Sequence, residues 1–139
     1  MSDCSGDKQG THHSGGVLIV EDEALVACYL EDTLDVLGHK CCGIASTAEE
    51  AVSLAEKQCP TLALVDIGLR GSRDGITVAS ELTRLGITIV FLTGSNDAET
   101  RRRAEAVRPH GLVSKPCNEQ EIAQMLESAH SATKRGSYS

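Results

Sequence analysis

The chain has 139 residues, a formal net charge of −7, and 40 % hydrophobic and 24 % charged residues, a composition that fits one globular domain. The acidic balance argues against nucleic acid as the main partner, because a phosphate backbone requires a basic face. No apolar run approaches the roughly 18 residues of a transmembrane span, and the N-terminus lacks the order of a signal peptide. We therefore expect a cytoplasmic protein that does not bind a membrane.

Both ends of the chain are polar. Residues 1–15 are mainly Ser, Gly, His and other polar residues, and residues 132–139 are similar. Such segments bury too little apolar surface to fold. We expect a disordered N-terminal tail over 1–15, a domain over 16–131 and a flexible C-terminal tail over 132–139.

The first half of the domain alternates between strand and helix patterns. VLIVE, KCCGIA and TLALVD predict three strands. The helix after the first strand ends near Gly38 and has apolar residues at helical spacing: Val26, Tyr29, Leu30, Leu34 and Leu37. The helix after the second strand opens with a capping box of Thr47 and Glu50 and ends before Pro60. Its stripe is Ala48, Ala51, Val52 and Ala55.

The second half continues the alternation. A helix carrying Val78, Leu82 and Leu85 precedes the strand ITIVFLT, and GLVS is a fifth strand. Between these two strands, residues 97–107 form a helix with a thin stripe of Ala104 and Val107, which we expect to be the most loosely held. The closing helix follows an Asn118 cap and buries Ile122, Met125, Leu126 and Ala129. Five strands alternating with five helices predict an α/β fold with a parallel sheet covered on both faces.

Six cysteines are spread along the chain without any C-x-x-C pair. Four of them fall inside apolar patterns. We expect most cysteines to be small buried hydrophobic residues in a reducing compartment.

Polar side chains follow four of the predicted strands. Glu21 and Asp22 follow the first strand, Asp66 ends the third, Thr93 ends the fourth and Lys115 follows the fifth. In open α/β sheets, ligands bind beyond the carboxyl ends of the strands. Each residue alone is more often a helix cap, a loop acid or a solvated lysine. Their placement at one edge of the sheet is hard to explain by helix capping alone, and it predicts a ligand-binding site there.

Three carboxylates beside one lysine repel each other unless a cation joins them. An all-oxygen set suits Mg²⁺, which takes one or two carboxylates directly and keeps several waters. A carboxylate is also a competent nucleophile toward phosphorus and forms an acyl phosphate. On this hypothesis Lys115 and Thr93 bind oxygens of the phosphoryl group.

The chain contains, in this order, the motifs LIVEDE, LALVDIGL, a loop closing on DG, IVFLTG and VSKP. Together these motifs resemble the receiver domain of two-component response regulators, of the single-domain type. The resemblance covers roughly Val17 to Ala129. It implies a flavodoxin-like (βα)5 fold, with a doubly wound parallel five-stranded sheet in the order 2-1-3-4-5 and helices on both faces.

The resemblance also implies roles for individual residues. Asp66 would accept a phosphoryl group from a sensor histidine kinase or a histidine phosphotransfer protein, and the chain would catalyse its own phosphorylation and dephosphorylation. Asp22, Asp66 and the backbone carbonyl of Gly68 would bind Mg²⁺ directly, and Glu21 through water. The Lys115-Pro116 bond would be cis, as is about one X-Pro bond in twenty. A monomer and a phosphorylation-dependent dimer both stay open.

The chain departs from the family pattern at the switch. Leu112 stands where receivers commonly carry an aromatic residue, so the signal must travel through Thr93, the loop GSND and the helix after it. Gly94 either clears space for phosphoryl transfer or is an ordinary loop glycine, and we weigh the two equally.

Two arginine-bearing segments have open roles. The loop over 67–75 is one residue longer than in the family, so the sequence does not predict its path. Arg70 or Arg73 is more easily explained as a solvated side chain than as a contact for an anionic phosphodonor. The run Arg101-Arg102-Arg103 is more often a solvated helix face than a binding site.

The resemblance points to output through protein–protein interaction with an unknown downstream protein, because no DNA-binding pattern follows the last helix. A fragment of a larger regulator would look the same. The alternative function is a pseudo-receiver or phosphate-sink interaction module. A flavin-binding protein of this fold is disfavoured by the acids after the first strand and by the 2 % aromatic content. A phosphohydrolase would need an acid where Gly68 stands.

Overall fold

A computed structural model describes residues 16–69, 74–94 and 97–136, the last five of these by backbone alone. Five parallel strands form one sheet in the order β2-β1-β3-β4-β5, as predicted. The elements alternate along the chain: β1 Val17–Val20, α1 Ala24–Val36, β2 Cys41–Ala45, α2 Ala48–Gln58, β3 Leu62–Asp66, α3 Gly75–Arg84, β4 Thr88–Thr93, α4 Ala98–Ala106, β5 Gly111–Ser114 and α5 Glu119–Gly136.

The sheet separates two hydrophobic cores, because successive strand residues point to opposite faces. On one face, Leu18, Val65 and Phe91 pack with buried residues of α2 and α3 and with Ala104 of α4. On the other face, Ile19 and Leu64 pack with α1 and α5. The central strands β1 and β3 are buried on both sides, which explains their uninterrupted apolar sequences.

Side-chain caps begin several helices where the sequence predicts them. Thr47 accepts a hydrogen bond from the Glu50 amide at 3.1 Å, while the Glu50 carboxylate accepts one from the Ser46 amide at 2.8 Å. Asn118 and Glu121 form a reciprocal capping box at the start of α5. These bonds satisfy amides that the first turn of a helix leaves without a backbone partner.

Two residues of the predicted apolar helical stripes are exposed to solvent, contrary to the prediction that they face the core. Tyr29 is 42 % exposed and lies beside the buried line formed by Leu30 and Leu34, because a helix on a sheet buries only part of its circumference. Leu85 is 47 % exposed because α3 ends at Arg84, so the helical period no longer sets its direction.

The expectation of buried cysteines is wrong for those that the structure describes as free. Cys28 is exposed on α1, and Cys41, Cys42 and Cys117 are partly exposed. Cys41 and Cys42 lie on β2, an edge strand that has a neighbour on one side only. Partial burial still raises the pKa of the Cys42 thiol to about 11, with a smaller contribution from Cys41.

The structure describes the C-terminal end of the domain and the fourth helix, for which the sequence makes specific predictions. The N-terminal tail over 1–15 lies outside the described residues. Helix α5 continues through residues 132–136, which lie in the segment that we expected to be a flexible C-terminal tail. As predicted, α4 is thinly packed, with Ala104 its one buried residue. No helix in the described part of the chain has the length and hydrophobicity of a transmembrane span.

Candidate functional site

The carboxyl ends of the strands bring the predicted polar residues to one edge of the sheet. The Glu21 amide donates to the Ala45 carbonyl of β2 at 2.9 Å, which holds the segment after β1. Asp66 is the last residue of β3, and Thr93 is the last residue of β4. The Lys115 amide donates to the Thr93 carbonyl at 2.8 Å, so the segment after β5 lies against the end of β4.

Glu21, Asp22 and Asp66 form an acidic cluster. Each offers a carboxylate oxygen, and these oxygens lie within 4.8 Å of one another. Glu21 and Asp66 are buried, with 1 % and 6 % exposure, and Asp22 is half-buried. All the donor atoms are oxygens, which is the ligand chemistry of Mg²⁺. The cluster therefore fits a hard divalent cation.

Lys115 joins two of these acids. Its Nζ lies 3.1 Å from Glu21 Oε1 and 3.3 Å from Asp66 Oδ1. Partial burial alone would lower the pKa of Lys115, but Asp66 and Glu21 outweigh it and raise that pKa. Lys115 is therefore a fixed cation at the acidic cluster.

The environment of Glu21 raises the pKa of its carboxyl group. Burial and the neighbouring Asp66 charge raise the pKa of Glu21, against the opposing effects of the Glu23 amide and Lys115. The Glu23 amide donates to Glu21 Oε2 at 3.1 Å, while Lys115 contacts Oε1. Three acids and one lysine leave an excess of negative charge, which a bound cation would offset.

The backbone after Asp66 folds closely around the acid. The Gly68 amide donates to Asp66 Oδ1 at 3.0 Å. A Cβ on Gly75 would lie 2.0 Å from the Asp66 carbonyl oxygen, so this position requires glycine. The start of α3 thus packs directly on the Asp66 main chain. Arg70 and Arg73 lie outside the described residues.

The predicted switch residues lie at the end of β4, directly after it and on β5. Thr93 is buried, whereas Gly94 is exposed and has open space where a side chain would be. Leu112 lies on β5 and packs at the margin of the core that contains Phe91. The Lys115-Pro116 peptide bond is cis.

Two contacts near the site have no signal in the sequence. The Tyr29 hydroxyl donates to the Cys117 carbonyl at 3.1 Å, two residues after Lys115. Arg103 donates to Asp74 Oδ2 at 3.0 Å, which joins α4 to the start of α3. Each depends on side-chain directions that periodicity does not specify.

The arginine run on α4 is fully committed to ion pairs. Arg101 pairs with Glu105, Arg102 with Glu99 and Arg103 with Asp74. The run is therefore not a free basic patch, because each of its three arginines pairs with a carboxylate.

Comparison with known families decides the identity of the domain. A family model described as the response regulator receiver domain matches residues 17–127. The chain belongs to this family.

Receiver sequences and structures are similar to it along most of its length. The phyllosphere-induced regulator PhyR of Methylorubrum extorquens is 32 % identical over 115 residues, which are 81 % of this chain and 42 % of that protein. The transcriptional regulatory protein PdtaR of Mycobacterium tuberculosis is 35 % identical over 114 residues, 81 % of this chain and 55 % of that protein. The chain thus spans about half the length of these curated relatives.

Solved receiver structures share the fold. The receiver domain of a modulated diguanylate cyclase from Desulfovibrio desulfuricans is 39 % identical with a TM-score of 0.83, and the match covers 87 % of this chain and 97 % of that one. A CheY-like receiver protein from Methanospirillum hungatei has a TM-score of 0.81 at 22 % identity, with 88 % and 98 % covered. The second likeness concerns the fold alone.

Proposed function

We propose that this receiver domain accepts a phosphoryl group on Asp66 from a phosphohistidine of a sensor histidine kinase or histidine phosphotransfer protein. The convergence of Asp66, two further acids and Lys115 at one edge of the sheet carries the proposal. An Asp66 oxygen would attack phosphorus while the bond from phosphorus to the imidazole nitrogen breaks. The phosphoryl group moves to the carboxylate, and the histidine leaves as neutral imidazole after taking a proton.

Asp22, Asp66 and the Gly68 carbonyl are the groups we propose for direct contact with Mg²⁺, with Glu21 acting through water. A bound Mg²⁺ would supply charge neutralisation for the phosphoryl oxygens. The excess of carboxylates over lysines at the cluster supports this set. The half-buried Asp22 and the exposed Gly68 lie where a solvated ion and a donor can reach them.

Lys115 and Thr93 are the groups we propose for the transferred phosphoryl oxygens. Lys115 Nζ already lies 3.3 Å from Asp66 Oδ1, so it needs little movement to contact a group attached there. Fixed charges of this kind stabilise the transition state because they need no reorganisation during the reaction. The Thr93 hydroxyl would bind another phosphoryl oxygen from the end of the neighbouring strand.

The output we propose is a conformational change that alters a protein–protein contact. Helix α4 follows the loop after Thr93 and has one buried residue, so it is the element whose packing a change at the site alters most easily. The cytoplasm is the compartment we propose for this exchange, as expected from the sequence. A protein that keeps this fold as an interaction module without phosphorylation is the alternative that the test below separates.

Intact-mass measurement after incubation with phosphoramidate and Mg²⁺ tests the proposal. Phosphoramidate carries a bond from phosphorus to nitrogen, as phosphohistidine does. The wild type should gain one phosphoryl group, and Asp66→Asn should gain none. Asp32→Asn, which removes an exposed acid of α1, is the matched control and should behave as the wild type. No gain by the wild type would favour the interaction module.

A further inference from the structure

Tyr29 makes a contact that has no role in the phosphoryl transfer proposed above. It lies on α1 with 42 % exposure, outside the apolar line that packs on the sheet. Its hydroxyl donates to the Cys117 carbonyl at 3.1 Å, across 88 positions of sequence. The bond therefore joins α1 to the segment that carries Lys115.

Helix α1 is a firm support for this contact. Leu30, next to Tyr29, and Leu34 are buried in the core between the sheet and α5. The Thr33 hydroxyl donates to the Tyr29 carbonyl at 2.8 Å and holds the backbone at this turn. The tyrosine side chain has two torsions, so few rotamers place its hydroxyl at the Cys117 carbonyl.

The segment over 114–118 is held at two points around Lys115. At Lys115 itself, the backbone amide donates to the Thr93 carbonyl at 2.8 Å. Two residues later in the chain, the Cys117 carbonyl accepts a hydrogen bond from the Tyr29 hydroxyl. Lys115 must place one ammonium within reach of both Glu21 and Asp66, so a shift of this backbone would move the charge away from the site.

We propose that Tyr29 is a positioning residue that acts through the Cys117 carbonyl to hold Lys115 at Asp66. The inference rests on the function proposed above for Asp66. Tyr29 does not touch the acidic cluster in any contact described. Its effect should fall on the phosphorylation rate, which uses Lys115, and should not weaken Mg²⁺ binding, because the proposed metal ligands are other residues and a displaced ammonium repels the cation less.

Tyr29→Phe removes the hydroxyl and keeps the ring. The phosphorylation rate with phosphoramidate is measured as Mg²⁺ is varied, because a small donor does not need the α1 surface for docking. We expect a plateau rate about two- to tenfold lower, the loss equivalent to one neutral hydrogen bond, with a half-saturating Mg²⁺ concentration no higher than that of the wild type. Thr83→Val is the matched control, since it also loses one bond from a hydroxyl to a backbone carbonyl, within α3.

A wild-type plateau rate in Tyr29→Phe would overturn the inference. So would a rate loss equal to that of Thr83→Val, which indicates general destabilisation. A higher half-saturating Mg²⁺ concentration would also overturn it, because the effect would then fall on the metal ligands and not on Lys115. Amide hydrogen exchange needs no phosphodonor and separates this inference from the proposed function. Faster exchange at Lys115 in Tyr29→Phe than in Thr83→Val supports the tether even if the wild type takes no phosphoryl group, and equal exchange would contradict it.

Discussion

Arg103 of α4 donates to Asp74 Oδ2 at 3.0 Å, while Oδ1 of the same carboxylate accepts from the Thr77 amide at 2.9 Å and caps α3. One side chain thus begins a helix and ties a second helix to it. Asp74 directly precedes Gly75, which packs on the Asp66 main chain. The pair therefore links the backbone of the proposed phosphoacceptor to α4.

Arg103→Gln should loosen α4 more than the same change at its neighbours. The expected loss of unfolding free energy is at most about 1 kcal/mol, because both partners are partly exposed. Amide exchange over residues 98–106 should increase clearly, since Ala104 is the one buried residue of this helix. Arg102→Gln, which breaks a pair within α4, is the matched control. Equal exchange in the two variants would show that the link to Asp74 does not hold the helix.

Stability at acid pH should depend on Asp74. Partial burial would raise the pKa of Asp74, but the Thr77 amide and Arg103 outweigh it, so the folded-state pKa lies below the ordinary value. The ionised form is favoured on folding, and this contribution is present above about pH 4 and lost as the pH falls through the folded-state pKa. Asp74→Asn keeps a capping side chain but cannot titrate. Thermal unfolding from pH 7 to 3 should show a shallower decline for the variant, and parallel curves would refute the assignment.

Gly75→Ala should destabilise the domain strongly. The added methyl would lie 2.0 Å from the Asp66 carbonyl oxygen and 2.8 Å from the Ile67 Cα, and both are backbone atoms that cannot turn aside. We expect a loss at or above the upper end of about 1–3 kcal/mol in urea unfolding. Gly68→Ala is the control, since its nearest contact would be an ordinary 3.6 Å to Asp66 Oδ1, and it should change stability by less than about 0.5 kcal/mol. Similar losses in both variants would argue against close packing at Gly75.

Mg²⁺ should stabilise the domain through the acidic cluster. At a concentration of about 100 times its dissociation constant, a ligand of the folded state adds about 2.7 kcal/mol. The melting temperature of the wild type should rise with Mg²⁺, and Asp22→Asn should lose most of that rise. Asp32→Asn, on the exposed side of α1, should keep it. Equal increments in all three proteins would place the bound ion elsewhere.

Local patterns in the sequence predicted the five strands and the five helices, and the resemblance to receiver domains implied the strand order. Short apolar strands such as β1 and β3 are buried on both faces, and Thr47 and Asn118 begin helices through their own side chains. The ends of the strands then fix which polar residues share an edge. Asp66 and Lys115 could be placed together for this reason before any distance was known.

Contacts between helices and loops could not be predicted in this way. Tyr29 has the spacing of a core residue, and its rotation toward Cys117 depends on how α1 lies on the sheet. Arg103 differs from Arg102 only in the direction of its side chain, yet one reaches α3 and the other stays within α4. Such contacts follow from the packing of whole elements, which local periodicity does not encode.

Localising the phosphoryl group tests the central claim most directly. The protein is incubated with phosphoramidate and Mg²⁺ and then treated with borohydride, which reduces an acyl phosphate to an alcohol and marks the modified residue for peptide mapping. We expect reduction of Asp66 alone, dependent on both reagents and absent when Mg²⁺ is chelated. Reduction at Asp22 or Glu21, or an unmarked Asp66 in a protein that has gained a phosphoryl group, would contradict it.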